Sequence, residues 1–383
     1  MIVHLTPYYA PAYAFGGVPR AVEGLARAQV EQGEVVRILT TDAFSRDGGR
    51  ASPPQEWRDG VLVRRCPNHW PLLRRWNLSS AWVSRALNTW LEEGARIVHL
   101  HEFRTLEALQ AAQVARPIVP LVVSPHGTLA AHTGRSALKR AWDSLLSPYV
   151  ARRVRAVVAL HEQEAQDAHA LWQRFGLSPK CFVVPNGVRW QDFTNLPDPA
   201  PLCHRLGLEG QRVLLFMGRL QARKGVLPLA RAFLRVAPSD WALLLVGPDE
   251  DQGAALKPLL KPGRLVWAGY LEGEARLQAF ACAKAFALVA RGEGLPMAAL
   301  EALACGLPCL LSSECHLPDV ESSGSGLIVP PDDEDALAQA MQALLSESAD
   351  RHAARRAAAQ QLVRQRYSWE AVAQAMCAVY NQL

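Results

Sequence analysis

Two glutamates, Glu293 and Glu301, stand eight positions apart in the run GEGLPMAALEALACGLP, from Gly292 to Pro308. The preceding AFALVA reads as a buried strand ending near Ala290, and Met297–Ala304 carries a helical pattern that Pro296 is well suited to start. Glu293 then falls in the turn between strand and helix, and Glu301 about one turn further on. The N–H groups of the Gly294–Leu295 turn and the helix N-terminus make a seat for an anion. A carboxylate at either end of that seat can accept hydrogen bonds from sugar hydroxyls flanking a diphosphate. The spacing alone equally allows a turn residue at Glu293 and a solvated helix residue at Glu301.

FMGRLQARKG adds two cations, Arg219 just after a strand and Lys224 five residues later, in a glycine-bracketed loop. Such a pair suits a pyrophosphate that must leave with its charge neutralised. Histidines end several strand-like runs: His99 and His101 in ARIVHLH, His161 in AVVALHE, and His126 in SPHGT. A histidine at a strand's carboxyl end is as often structural as functional, and His101 is the one expected to touch an acceptor. Asp333 and Asp335 in PPDDEDALAQA resemble a metal-binding pair, but they precede a helical pattern, where capping and dipole pairing explain them better.

These residues need a scaffold, and the chain supplies one twice. MIVHLTP, EVVRILTT, VLVRRC, ARIVHLH, PLVVSPHG, AVVALHE and CFVVPNGV alternate with helical stretches such as Val18–Gln32 and Thr105–Ala115. RVLLFMGRL, WALLLVGP, RLVWAGY, AFALVA, LPCLLSS and GLIVPP restart the rhythm. Alternation of this kind predicts α/β folding with parallel sheets covered on both faces. At 383 residues the chain is long enough for two domains. The segment Asp192–Leu202, with three prolines, reads as the linker between two Rossmann-like domains facing a central cleft. Neither half carries G-x-G-x-x-G after its first strand, which disfavours a nicotinamide dehydrogenase.

With those pieces in place, the sequence resembles the retaining nucleotide-sugar glycosyltransferases of GT-B architecture, family 4. The carriers are FGGVPRAVEGLA, SPHGT, VVPNGV, MGRLQARKG, EGLPMAALEALACGLP and the terminal YSWEAVAQAMCAVY, spread over nearly the whole chain. The resemblance implies domains at 1–190, on the acceptor side, and 191–366, binding the nucleotide sugar. Residues 367–383 would form a helix returning to the first domain. It implies that Glu293 binds the donor sugar's hydroxyls, that Glu301 binds the ribose, and that Arg219 and Lys224 neutralise the diphosphate. Gly16 and Gly17 would let backbone approach the donor phosphates and the acceptor, and His126 would contact the donor sugar at the reacting centre. No metal or other cofactor is expected, because cations and a helix N-terminus would do that work. The chain departs from the family's common phrase in running Glu293-Gly294-Leu295-Pro296 without an inserted Phe-Gly.

Composition bounds the partners. The net charge of +5 conceals +8 in residues 1–190 and −3 in residues 191–383. A basic half suits an anionic substrate or surface. Trp70, Trp76, Trp82 and Trp90 lie among Arg74, Arg75 and Arg85, and a second stretch adds Arg135, Lys139, Arg140, Arg152, Arg153 and Arg155. Tryptophan with Arg/Lys suits the headgroup layer of an anionic membrane; the alternative is tryptophans in the core beneath a solvated basic face. No nucleic-acid motif accompanies the charge. No apolar run is long enough to span a bilayer, and IVHL follows Met1 directly, so a cytoplasmic protein is expected, peripheral on the inner face of the plasma membrane if the membrane reading holds. The eight cysteines lack a C-x-x-C pair and read as reduced thiols. Competing readings are a nucleotide-sugar epimerase or phosphorylase on the same scaffold, and a non-catalytic GT-B-like binding subunit.

Overall fold

The computed structural model describes residues 1–45, 48–67, 83–129 and 136–383. The chain divides into two units, one of Met1–Gly187 with Trp369–Leu383, the other of Val188–Ser368.

In the first unit, β1 (Ile2–Leu5), β2 (Val36–Thr41), β3 (Gln55–Arg58), β4 (Val61–Cys66), β5 (Ile97–His101), β6 (Leu121–Ser124), β7 (Val154–Ala159) and β8 (Lys180–Val183) form one sheet. Its order is β3-β4-β2-β1-β5-β6-β7-β8, parallel except where β3 runs antiparallel to β4. β1 and β5 are buried along their whole length, as central strands covered on both faces must be. Helix Val18–Glu31 turns Ala21, Val22, Leu25, Ala26 and Gln29 inward. β3, QEWR, is the strand that apolar patterning misses. It is a four-residue edge with Trp57 71% exposed, so no buried face marks it in the sequence.

The second unit repeats the architecture with β9 (Arg212–Met217), β10 (Trp241–Val246), β11 (Leu265–Trp267), β12 (Ala283–Leu288), β13 (Cys309–Ser312) and β14 (Gly326–Val329). The order β11-β10-β9-β12-β13-β14 is parallel throughout. In both sheets the order reverses beside the first strand, between β1 and β5 and between β9 and β12. Loops leaving the carboxyl ends of strands at such a reversal diverge and leave room for a ligand.

Three expectations need correction, and one open alternative is decided. The proline-rich segment Asp192–Leu202 is not a free linker. Phe193 packs edge-on against Phe280, and Leu202 is buried on helix Ala200–Leu206, so the segment belongs to the second unit. Cys203 on that helix is joined to Cys282 at the end of helix Gly273–Cys282, so the reduced reading fails for this pair. Tyr367 also stays with the second unit, where its hydroxyl donates to Asp319; the terminal helix begins at Trp369. Trp90 is core, buried on helix Val83–Glu92 with the Arg37 guanidinium over its ring. Trp70, Trp76, Trp82, Arg74, Arg75 and Arg135 lie outside the described residues.

Helix Trp369–Tyr380 is bound into the first unit at both ends. Gln32 Nε2 donates to the Glu370 carbonyl at 2.9 Å, and the Tyr380 hydroxyl meets His99 Nδ1 at 2.6 Å. The Trp369 indole occupies space that only glycine leaves open: a Cβ on Gly24 would lie 2.1 Å from Trp369 Cε2, and one on Gly187 2.6 Å from Cδ2. Gly24→Ala is therefore expected to cost roughly 1–3 kcal/mol by overpacking and Trp369→Ala roughly 3–5 kcal/mol by cavity formation. Urea denaturation reads both, and unchanged midpoints would contradict this packing account.

Candidate functional site

The carboxyl end of β9 runs through Gly218 into Arg219 and on to Ala222–Lys224, a short 3-10 turn. The loop after β10 holds this segment in place. Glu250 Oε1 accepts from Arg219 Nη1 at 2.6 Å, Glu250 also pairs with Gln221, and the Ala222 N–H donates to Asp251 at 2.9 Å. Gly225, with φ +65°, turns the chain into helix Val226–Val236; a Cβ there would stand 2.1 Å from the Val289 carbonyl oxygen. That close approach lays the loop after β9 directly against the end of β12.

Glu293 emerges from β12 at this junction. Its Oε1 lies 2.7 Å from Lys224 Nζ and 3.3 Å from Arg223 Nη2. Glu314 fixes the turn from behind, its side chain accepting the Gly292 N–H at 2.6 Å and its carbonyl the Glu293 N–H at 3.2 Å. Leu295 is buried, and helix Met297–Ala304 starts at Pro296 without a side-chain cap. Its first N–H groups and the positive end of its dipole therefore carry no competing carboxylate cap.

Glu301 is not the solvated helix residue that spacing allowed. It is 7% exposed and ion-paired through Oε2 to Arg276 of helix Gly273–Cys282. The structure thus brings Lys224 to Glu293, whereas Arg219 is paired with Glu250 instead. Sequence reasoning missed Arg223, Glu250, Arg276 and Glu314. Arg223 adjoins Lys224 in ARKG and could have been included; the other three have no local signal, because their partners come from distant strands and helices. Asp333 is a helix cap, its carboxylate accepting the N–H groups of Asp335 and Ala336.

The first unit gathers four histidines. Because β1 and β5 pair in parallel, His4 sits beside His99, and the two-residue period puts His101 on the same face. His4 Nδ1 lies 2.9 Å from His101 Nε2, and His101 Nδ1 lies 2.8 Å from His126 Nε2. His4 Nε2 is 2.7 Å from Gln29 Oε1, while His99 meets Tyr380 and, at 2.8 Å, Ser124 Oγ. His101 is therefore placed behind His126, with both nitrogens already used, rather than at an exposed acceptor contact. Nitrogens of His4, His99 and His101 come within 4.8 Å of one another, a spacing that could attract a metal ion. Each of those nitrogens already has a hydrogen-bond partner, so the trio is a hydrogen-bonded network.

His126 and Gly127 both adopt left-handed backbone, φ +55° and +76°, and the Gly127 N–H is held by Glu164 Oε1. Gly16, at φ +121°, and Gly17 lead into the N-terminus of helix Val18–Glu31. His161 caps helix Glu162–Gln173, its Nδ1 accepting the Glu164 N–H. Arg64, Arg65 and Arg85 line a cavity of about 570 Å³ with Pro54, Gln55, Cys66, Pro67 and Ala86. Arg65 is neutralised there by Glu56 at 2.6 Å. Arg85, Arg140, Arg152, Arg153 and Arg155 are exposed. Among the described residues no helix is long and apolar enough to cross a membrane.

Two parallel α/β sheets with order reversals, the second carrying a basic loop against a glutamate turn, define the fold, and comparison with known proteins gives its class. Residues 16–187 match the glycosyl transferase 4-like domain model and residues 211–347 the glycosyl transferases group 1 model. The chain belongs to this family of GT-B glycosyltransferases. It is 27% identical to the GDP-mannose:cellobiosyl-diphosphopolyprenol alpha-mannosyltransferase of Xanthomonas oryzae, over 97% of this chain and 94% of that protein. It is 26% identical to the phosphatidyl-myo-inositol mannosyltransferase of Mycolicibacterium smegmatis, over 78% of this chain and 74% of that one. Among solved structures, sucrose-phosphate synthase from Thermosynechococcus elongatus aligns over 100% of this chain and 98% of its own, with a TM-score of 0.76 at 20% identity. Anabaena HepE in complex with UDP-glucose aligns over 100% and 99%, with a TM-score of 0.74 at 19% identity.

Burial pushes the His4 and His126 imidazoles down to about 4, and His99 and His101 well below the usual histidine range, so the network is neutral near pH 7. An unfolded histidine takes up its proton near 6.5, so the stability each contributes is complete above that pH and is lost as pH falls towards 4. Glu102, pushed up to about 7 by burial, acts in the opposite sense. A single-site comparison separates the two. The stability of His4→Asn is expected to fall less steeply from pH 6 to pH 4.5 than that of the parent, by up to about 1.4 kcal/mol per pH unit. Equal slopes in denaturant titrations at matched pH values would contradict a neutral buried His4.

Proposed function

We propose that this protein transfers a hexose-type sugar, with retention of configuration, from a nucleoside-diphosphate sugar to a hydroxyl of a glycan or lipid-linked acceptor. The observation that carries the reading is the convergence of Lys224 and Arg223 on Glu293 beside the uncapped start of helix Met297–Ala304. In the transfer, the bond from the anomeric carbon to the diphosphate oxygen breaks and the electron pair leaves with the diphosphate. The acceptor oxygen attacks on the same face, and its proton passes to the departing phosphate. Lys224, Arg219 and the helix N-terminus stabilise that charge, so the step runs without a metal ion. Glu293 exchanges its contact with Lys224 for the donor sugar's hydroxyls, and Glu301 offers its Oε1 to the ribose. Within the first unit, Gly16 and Gly17 are the residues for backbone approach to phosphate, and His126 is the one for a sugar hydroxyl.

The names of the mannosyltransferase relatives make GDP-mannose the first donor to try and a diphosphate- or phosphate-bearing lipid the first acceptor class. The cavity lined by Arg64, Arg65 and Arg85 suits an anionic acceptor group. Work at a cytoplasmic membrane surface in polysaccharide or glycoconjugate synthesis fits the exposed arginines, and flotation with anionic liposomes at low salt should recover the protein. Absence of binding there would remove the membrane part of the reading. For the donor, thermal shifts against GDP-, UDP-, ADP- and TDP-sugars are expected to single out one nucleotide class. Lys224→Met and Glu301→Gln should lose that shift, with transfer reduced at least tenfold. Stabilisation by no nucleotide sugar, with no transfer to any lipid-linked acceptor, would leave a binding-subunit role instead.

A further inference from the structure

The first unit contains a directional chain of hydrogen bonds that ends at an open nitrogen. His4, His101 and His126 are linked nitrogen to nitrogen, and the far end rests on the Gln29 side chain, 2.7 Å from His4 Nε2. A neutral imidazole has one N–H and one bare nitrogen, so fixing either end of such a chain fixes every ring in it.

Gln29 supplies the fixed end. Its Oε1 faces His4 Nε2, and an amide oxygen only accepts. The amide oxygen is thus on the His4 side, while Gln29 Nε2 is shielded from solvent and has no hydrogen-bond partner.

We infer that Gln29 is a positioning residue that holds His126 in the Nε2–H tautomer, with Nδ1 presented as a bare acceptor for a ligand hydroxyl. The protons follow in order. His4 carries its hydrogen on Nε2, donating to Gln29, and accepts at Nδ1 from His101 Nε2–H. His101 then accepts at Nδ1 from His126 Nε2–H. The bare nitrogen left over is His126 Nδ1, the one ring atom in the chain that is shielded from solvent and has no hydrogen-bond partner. A buried acceptor left open costs about 1–3 kcal/mol, which a ligand hydroxyl recovers on binding. The left-handed backbone at His126, braced through Gly127 by Glu164, spends further stability to hold the ring where it is. That the hydroxyl belongs to the transferred sugar rests on the transferase reading; the tautomer does not.

The test is side-chain nitrogen NMR on the full-length protein labelled with 15N-histidine, the His126 signals assigned by their loss in His126→Gln. The parent is expected to show an unprotonated Nδ1 and a protonated Nε2 at His126 near pH 7. Gln29→Met removes the acceptor and should turn His126 into a mixture of tautomers, whereas Gln29→Glu keeps an acceptor oxygen and should restore the single form. In a transfer assay Gln29→Met should lower kcat/KM for the donor about tenfold, with Gln29→Glu well above it. A proton on His126 Nδ1 in the parent, or one unchanged tautomer in Gln29→Met, would overturn the inference even if transfer is confirmed. If Gln29→Met fails to fold, the parent spectrum and Gln29→Glu still decide. A confirmed tautomer in a protein that transfers no sugar would sink the transferase reading alone.

Discussion

Everything in the second unit's site depends on β9 and β12 being neighbours. They pair in parallel, Leu215 beside Phe286, although β10 and β11 lie between them in the chain. Crossovers to opposite sides of β9 are what make them adjacent, and the loops at their carboxyl ends part over that seam. Arg223 and Lys224 come from one loop and Glu293 from the other. Gly225 permits the contact, since any side chain there would strike the backbone of Val289. The ion pair is thus a consequence of strand order.

The first unit applies the same reversal to a different end. At the seam of β1 and β5 the strands carry histidines on one face, which two neighbouring helices cover. Helix Val18–Glu31 brings Gln29 and helix Trp369–Tyr380 brings Tyr380. Burial keeps all four rings neutral, so this side communicates through hydrogen-bond direction, whereas Lys224, Arg223 and Glu293 work by charge.

What could be read from the sequence follows the physics of local pattern. Apolar runs such as WALLLV and AFAL announce central parallel strands because both of their faces are buried, and helix Met297–Ala304 announces itself through Pro296 and its alanines. The exposed edge QEWR has no such face and stayed invisible. Proline density in Asp192–Leu202 looked like a linker, yet Phe193 and Leu202 supply enough buried surface to fold it onto the second unit. Glu293 and Lys224 were legible as members of a motif, but their mutual pairing, the turn of Arg219 towards Glu250 and the burial of Glu301 against Arg276 were not. Each depends on residues 25 to 69 positions away, which only the tertiary fold brings together. The histidines illustrate the same limit. ARIVHLH shows two rings at a strand end, but whether His101 faces an acceptor or the back of His126 is decided by β1, β6 and a helix.

The central claim is that Lys224, held by Glu293, is the seat of a nucleotide diphosphate. Calorimetric titration of GDP and GMP into the parent and Lys224→Met tests it most directly, because the two ligands differ only in the outer phosphate. The account predicts that the variant loses at least tenfold in affinity for GDP and little for GMP, so the advantage of the second phosphate collapses. Equal affinity of parent and variant for GDP, in a parent shown to bind it, would place the diphosphate elsewhere and contradict the account.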